Sequence, residues 1–371
     1  MRFDFKPEEF IVEEITQDGV VLELDKKFDL GNAEDASLER DYFTRFVLQK
    51  REWNTMNALA EIARRLHVKQ SRFDFAGTKD RNAITTQLCS AFAIQPERLL
   101  SVRVKDVQIN GAWKAREKVK LGNLQGNRFT ITITKENCGV DADAQRILAK
   151  AQSHDFLFPN FFGQQRFGSL RGNSHLVGKL LLKQDLCEAA MVFIAGEGTG
   201  EKEKDSVDAR KQLRETQDFT AALESFPRYL KYERLMLEHL AQNSNDFAGA
   251  FQKLPRTLSL MFIHAFQSFL FNEMLAERLK ENREWSEEEQ GMLIGSESTL
   301  GEKEEKILER EGLEKEEFKM RALSFLSSKG GLRPFFARLK NFELIEENPV
   351  RLRFLLDSGC YATTALEFLL A

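Results

Sequence analysis

The chain has 371 residues, 42% of them hydrophobic and 30% charged, which suffices for two domains with cores of their own. Its formal charge of −4 argues against nonspecific nucleic-acid binding by the whole surface, though not against a local basic face. The first residues, Met1-Arg2-Phe3-Asp4-Phe5-Lys6-Pro7, form no apolar signal core, and the most apolar run, Leu258 to Phe271, is broken by His264, Gln267 and Ser268, so neither export nor membrane spanning is expected.

In chain order, Phe10 to Ile15 and Val20 to Leu24 read as two short strands around an Asp18-Gly19 turn. Asn54 can cap a helix whose apolar positions Met56, Leu59, Ala60, Ala63 and Leu66 keep helical spacing. Trp113 to Leu121 alternates, and a strand there would line Lys114, Arg116, Lys118 and Lys120 along one face. Such a face suits a phosphate backbone and equally a solvated edge strand kept soluble by lysines. Gly126-Asn127-Arg128-Phe129 leads into an alternating strand at Thr130 to Thr134, and 141–153 reads as helix.

The glycine-punctuated, aromatic stretch Pro159 to Gly168 reads as an ordered loop and marks a domain junction. Beyond it the pattern is mostly helical: 174–194, 206–225, 229–241, a long apolar-rich helix from 258 to 280, and a charged segment at 301–318. Alternation returns at Val350 to Leu356. This order fits an α+β domain interrupted by a helical insert, with the last strand rejoining the first sheet.

The four cysteines, Cys89, Cys138, Cys187 and Cys360, lie too far apart for a ligand pair and read as buried thiols in a reducing cytoplasm. The five histidines match no metal-ligand spacing, so no metal is expected.

The stretch Phe75-Ala76-Gly77-Thr78-Lys79-Asp80-Arg81-Asn82-Ala83-Ile84-Thr85-Thr86-Gln87 carries the most chemistry. It sets one carboxylate between two cations after a small-residue turn. Gly77 would allow a tight or left-handed backbone, and Lys79 and Arg81 would favour the ionised form of Asp80, leaving a nucleophile that needs no metal and no cofactor. Most such turns only carry solvated charges, and on this stretch alone that plainer reading prevails. A phosphate-cradling loop is absent: Gly196 to Lys202 has glutamate where its glycine-lysine pair should stand.

Together, Ala76 to Gln87, Gly126 to Phe129, Pro159 to Gly168 and Ser358 to Thr364 resemble the TruD family of tRNA pseudouridine synthases, with gaps, from about Pro7 onward. The resemblance implies a pseudouridine-synthase-type mixed, largely antiparallel sheet with flanking helices, interrupted by a mostly helical domain. It implies a catalytic domain at 1–157 and 333–371 around an insert at 158–332. It also implies isomerisation of uridine, at U13 in the D arm of tRNA, with Asp80 catalytic and no cofactor. Phe129 would stack on the target base beside Asn127, with Lys79, Arg81, Arg166 and Arg333 contacting substrate and Lys114, Arg116, Lys118 and Lys120 the phosphates. For Phe129 the alternative is a core residue at a strand start; for Arg166, a support of its own loop. The basic residue that the family often carries before the first strand falls to Arg2 or Lys6. The partner implied is tRNA, in the cytoplasm, with no membrane and no obligatory protein partner. Rival readings are a noncatalytic RNA-binding protein and an interaction scaffold.

Overall fold

The computed structural model describes residues 3–37, 39, 41–168, 170–198, 200–281 and 283–371. The chain divides into two compact units, Met1–Phe158 with Ala337–Ala371, and Pro159–Phe336. In chain order the strands are β1 (Phe10–Ile15), β2 (Phe43–Arg51), β3 (Phe73–Phe75), β4 (Ile84–Phe92), β5 (Val107–Ala115) and β6 (Gly126–Ile133). They continue as β7 (Leu157–Pro159), β8 (Gln290–Leu293), β9 (Gly331–Pro334), β10 (Phe336–Arg338), β11 (Lys340–Glu347) and β12 (Val350–Asp357).

The first unit is built on one sheet of order β11-β12-β6-β1-β4-β2-β5, with β3 added beside β4. Its pairings are antiparallel except β1 with β4, which run parallel. The last strand returns to the first sheet through β12 and β6. Alternation in β2 buries both faces: Phe46 and Leu48 pack with Leu59 and Ile62 of the helix Thr55–Arg65, whereas Val47 joins Leu22, Leu88, Trp113 and Val119. A third cluster sets Phe10, Ile131, Phe354 and Leu352 against Ile147 and Leu366 of the helices Ala144–Ser153 and Ala362–Leu370. Fully burying a side chain of this size contributes about 1.5–3 kcal/mol, so these layers hold the sheet.

Two strand expectations fail here. Val21 makes only an isolated bridge to Ile15, so 20–24 is no strand, although Gly19 does turn the chain at a left-handed φ of 78°. The alternation after Trp113 ends at Ala115. From there the chain folds back: Val119 is buried with its N–H on Ser90 Oγ at 2.9 Å, and the Gly122 N–H donates to Ala76 O at 2.7 Å. Burying Val119 and satisfying these backbone groups outweighs continuing an edge strand.

The second unit is mostly helical. The expected helix 174–194 is two, Ser174–Leu182 and Leu186–Ala195, because Gln184 turns at φ 59° and Asp185 caps the second through the Glu188 N–H at 3.1 Å. Likewise 206–225 is Lys204–Thr216 and Phe219–Ser225, with Gln217 left-handed and Asp218 the new cap. The long helix Arg256–Leu279 lies against Ser174–Leu182 so closely that a Cβ on Gly178 would stand 2.1 Å from Phe262 O. The unit continues through β9, which pairs antiparallel with β8, and runs to Phe336 rather than the expected 332. No helix among the described residues is long and apolar enough to cross a membrane. Cys89 and Cys138 are buried as expected, whereas Cys187 is exposed and Cys360 half-buried.

Candidate active site

Asp80 is exposed in the loop between β3 and β4, and the backbone from Ala76 to Asp80 is held at four residues. The Lys79 N–H donates to Thr55 Oγ1 at 3.0 Å, and Thr55 donates in turn to Gln87 Oε1 at 2.8 Å. Gln87 Nε2 donates to Gly77 O at 3.0 Å, and Gly122 N–H to Ala76 O at 2.7 Å. Lys50 Nζ donates to Asp80 O at 2.8 Å, with Lys79 O at 3.4 Å. A loop whose carbonyls and amides are satisfied by buried side chains has little freedom, which is what an exposed reacting group requires of its support.

The chain bends at Gly77, but not through a left-handed backbone. A Cβ there would meet nothing within 4 Å. The loop is shaped by side-chain hydrogen bonds instead.

Lys79 also takes a different place. Its side chain is buried, with Nζ 2.9 Å from Glu14 Oε2 and donating to Asn127 Oδ1 at 2.5 Å. Glu14 is itself fully buried, and its Oε1 accepts from the Leu88 N–H at 3.0 Å. Burial pushes the Glu14 carboxyl above its usual range, opposed by the neighbouring Lys79 ammonium. The meeting follows from register: antiparallel β1 and β6 set Glu14 opposite Asn127, and parallel β1 and β4 bring the loop before β4 alongside. Gly126 precedes Asn127 because β12 passes close, and a Cβ there would stand 2.1 Å from Leu356 O.

Lys50, on β2, is 1% exposed. Desolvation lowers its pKa to about 8, against the opposing attraction of Asp80, with Lys79 lowering it further and Cys89 raising it. Lys50, Glu14, Thr55 and Gln87 were not singled out from the sequence. A lysine in an otherwise apolar strand face and a glutamate beside Ile15 are the only local signals they give.

The remaining site residues scatter. Phe129 is 6% exposed, its ring centroid 6.0 Å from that of Phe10 and 5.8 Å from that of Phe354, so it is a core residue rather than an open stacking face. Arg81 and Lys6 are exposed, while Arg2 lies outside the described residues. The four cations expected on one strand face do not share one. Lys114 remains in β5 with its ammonium 5.0 Å from the Tyr42 ring centroid. Arg116 reaches Asp35 at 3.1 Å, Lys118 reaches Asp74 at 3.0 Å, and Lys120 reaches Glu117 at 3.4 Å. Each is an exposed pair of small energetic weight, about 0–1 kcal/mol.

In the second unit, Arg333 on β9 donates to Asn160 Oδ1 at 2.6 Å and stacks 4.0 Å from the Phe162 ring centroid. Arg166 donates to Ser268 Oγ at 3.0 Å and lies 5.4 Å from the same ring. Asn272 closes the loop, accepting from the Phe162 N–H at 2.9 Å and donating to Phe162 O at 3.0 Å. Both arginines therefore support the Pro159–Gly168 segment.

The family model described as tRNA pseudouridine synthase D (TruD) matches residues 1–299 and 290–368. A protein of Methanopyrus kandleri described as "Probable tRNA pseudouridine synthase D" is 36% identical over 345 residues, covering 88% of this chain and 85% of its own length. A protein of Methanococcus maripaludis with the same description is 36% identical over 370 residues, covering 96% and 92%. A crystal structure described as "Putative tRNA pseudouridine synthase D (TruD)" from Methanosarcina mazei superposes with a TM-score of 0.72 at 28% identity, over 99% of this chain and 92% of that one. With the mixed sheet and the motif-bearing loop in place, the chain belongs to the tRNA pseudouridine synthase D (TruD) family.

Proposed function

We propose that this chain isomerises uridine to pseudouridine in tRNA, at U13 of the D arm, with Asp80 as the essential carboxylate. Family membership supports the reaction class. The observation that carries the role of Asp80 is its place: an exposed carboxylate on a loop whose preceding backbone is fixed by Lys50, Thr55, Gln87 and Gly122.

The reaction breaks the C1′–N1 bond, turns the base, and rejoins it through C5, whose hydrogen is released. Bonds broken and formed balance within the nucleotide, so no co-substrate is consumed. Asp80 serves by attack at C6, by attack at C1′, or by removing a sugar proton; all three need an ionised carboxylate within reach of the extruded nucleotide. Extruding a stacked base costs roughly a few kcal/mol, which contacts to RNA must offset. The Asn127 amide, held by Lys79 close to the Asp80 turn, is a polar group suited to the base edge.

Tritium release from tRNA transcripts labelled at uracil C5 tests the reading. The native chain is expected to release label, Asp80→Asn to release none while still binding tRNA, and a transcript with cytidine at position 13 to give none with the native chain. Binding without release by the native chain would favour a noncatalytic RNA-binding protein.

A further inference from the structure

We propose that Lys50 is a positioning residue for Asp80, its buried ammonium fixing the 79–80 turn through two main-chain carbonyls so that the Asp80 carboxylate is aimed. This rests on the catalytic reading of Asp80. Lys50 lies on the same face of β2 as Phe46 and Leu48, two side chains of the apolar cluster under the helix Thr55–Arg65. A leucine or methionine would be buried there at no electrostatic cost. The chain instead places an ammonium, and a buried charge is costly unless it is well partnered.

The hydrogen-bond partners of that ammonium are the main-chain carbonyls of Asp80 at 2.8 Å and Lys79 at 3.4 Å. Two successive carbonyls turned toward one ammonium set the direction in which the turn leaves β3. The other buried cation nearby, Lys79, is engaged by Glu14 and Asn127, which leaves Lys50 as the cation seated under the Asp80 backbone.

The charged and titratable groups around Lys50 are Asp80 and Lys79 on the loop and Cys89 on β4. The Cys89 thiol is itself held neutral by burial. Toward the strand end, Asp25, Arg51 and Asp106 line a pocket of about 310 Å³ together with Lys50. Desolvation leaves Lys50 titrating at about 8, so it is charged at neutral pH and loses its charge just above. Deprotonation keeps a hydrogen-bond donor but weakens the charge-assisted bonds to the Asp80 and Lys79 carbonyls that fix the turn.

The test is the pH dependence of single-turnover tritium release, measured for the native chain, Lys50→Met and Lys50→Arg, with near-ultraviolet circular dichroism to confirm folding. In the native chain kcat is expected to fall as pH rises through about 8 while KM for tRNA holds, because a residue this buried does not touch RNA. Lys50→Met should lose roughly 10²-fold in kcat at neutral pH, the scale of a misplaced reacting group, and lose the alkaline fall. Lys50→Arg should keep substantial kcat and carry the fall to higher pH. If Lys50→Met does not fold, the Lys50→Arg profile decides. An alkaline fall unmoved by either substitution, or a loss of kcat with an unchanged pH profile, overturns the proposal. Absence of release by the native chain, or full release by Asp80→Asn, would instead overturn the reading of Asp80 itself.

Discussion

At the scale of single residues, two glycines of the recognition motifs have opposite roles. Gly77 faces open space and keeps an ordinary φ, so Gly77→Ala should change stability by less than about 0.5 kcal/mol in urea unfolding. Gly126 is crossed by the backbone of β12, and Gly126→Ala should cost about 1–3 kcal/mol, since Leu356 O cannot yield without moving the strand. Equal midpoints for the two variants would show that the close approach at Gly126 carries no energy. The sequence reading expected a special backbone at Gly77 and assigned no constraint to Gly126, because glycine spacing does not say which constraint applies at a position. Phe129 teaches the same lesson. Its motif position was legible, but its burial between Phe10 and Phe354 depends on two strands far away in sequence.

At the scale of elements, β2 combines an apolar face with one buried cation. The folded pKa of Lys50, about 8, lies below the value of 10.5 that it takes when unfolded. Between those values the unfolded chain holds more protons, so the contribution of this group to stability rises with pH from about 8 to 10.5 and is flat below. The full span is on the order of 3 kcal/mol for a group this buried. In guanidinium melts the stability of the native chain relative to Lys50→Met should therefore rise by that span between about pH 8 and 10.5. A difference independent of pH would show that Lys50 titrates normally in the fold. Helix Thr55–Arg65 was legible from its cap and period. That Thr55 also seats Lys79 was not, because helical periodicity predicts which face is buried and not what arrives there.

At the scale of the molecule, the two units carry separate polar anchors. In the second, Arg210 is buried, with Nε 3.0 Å from Glu201 Oε2 and Nη2 3.0 Å from Glu233 Oε1, which Arg171 also meets at 3.1 Å. Removing Arg210 from this buried network costs about 3–5 kcal/mol by leaving the Glu201 carboxylate unpaired. Arg210→Ala should therefore speed amide hydrogen exchange within 159–336 while β4 and β6 of the first unit keep their protection. Equal loss in both units would mean that they unfold as one.

The amino-acid sequence by itself determined the mixed composition of the chain, the interrupted α+β order, the long helix Arg256–Leu279, the strands β6 and β12, and the motif that places Asp80 in its loop. These rest on local periodicity, caps and turn residues, which act within a few positions. Tertiary structure alone decided the surroundings of Asp80. Glu14, Lys50, Thr55, Gln87 and Asn127 come from β1, β2, the following helix, β4 and β6, and only parallel pairing of β1 with β4 beside antiparallel pairing of β1 with β6 gathers them. It also dispersed the cations after Ala115, where burying Val119 ended the strand that their alternation suggested. Periodicity fixes the direction of a side chain from its own backbone; strand register, set by the whole core, fixes its neighbours.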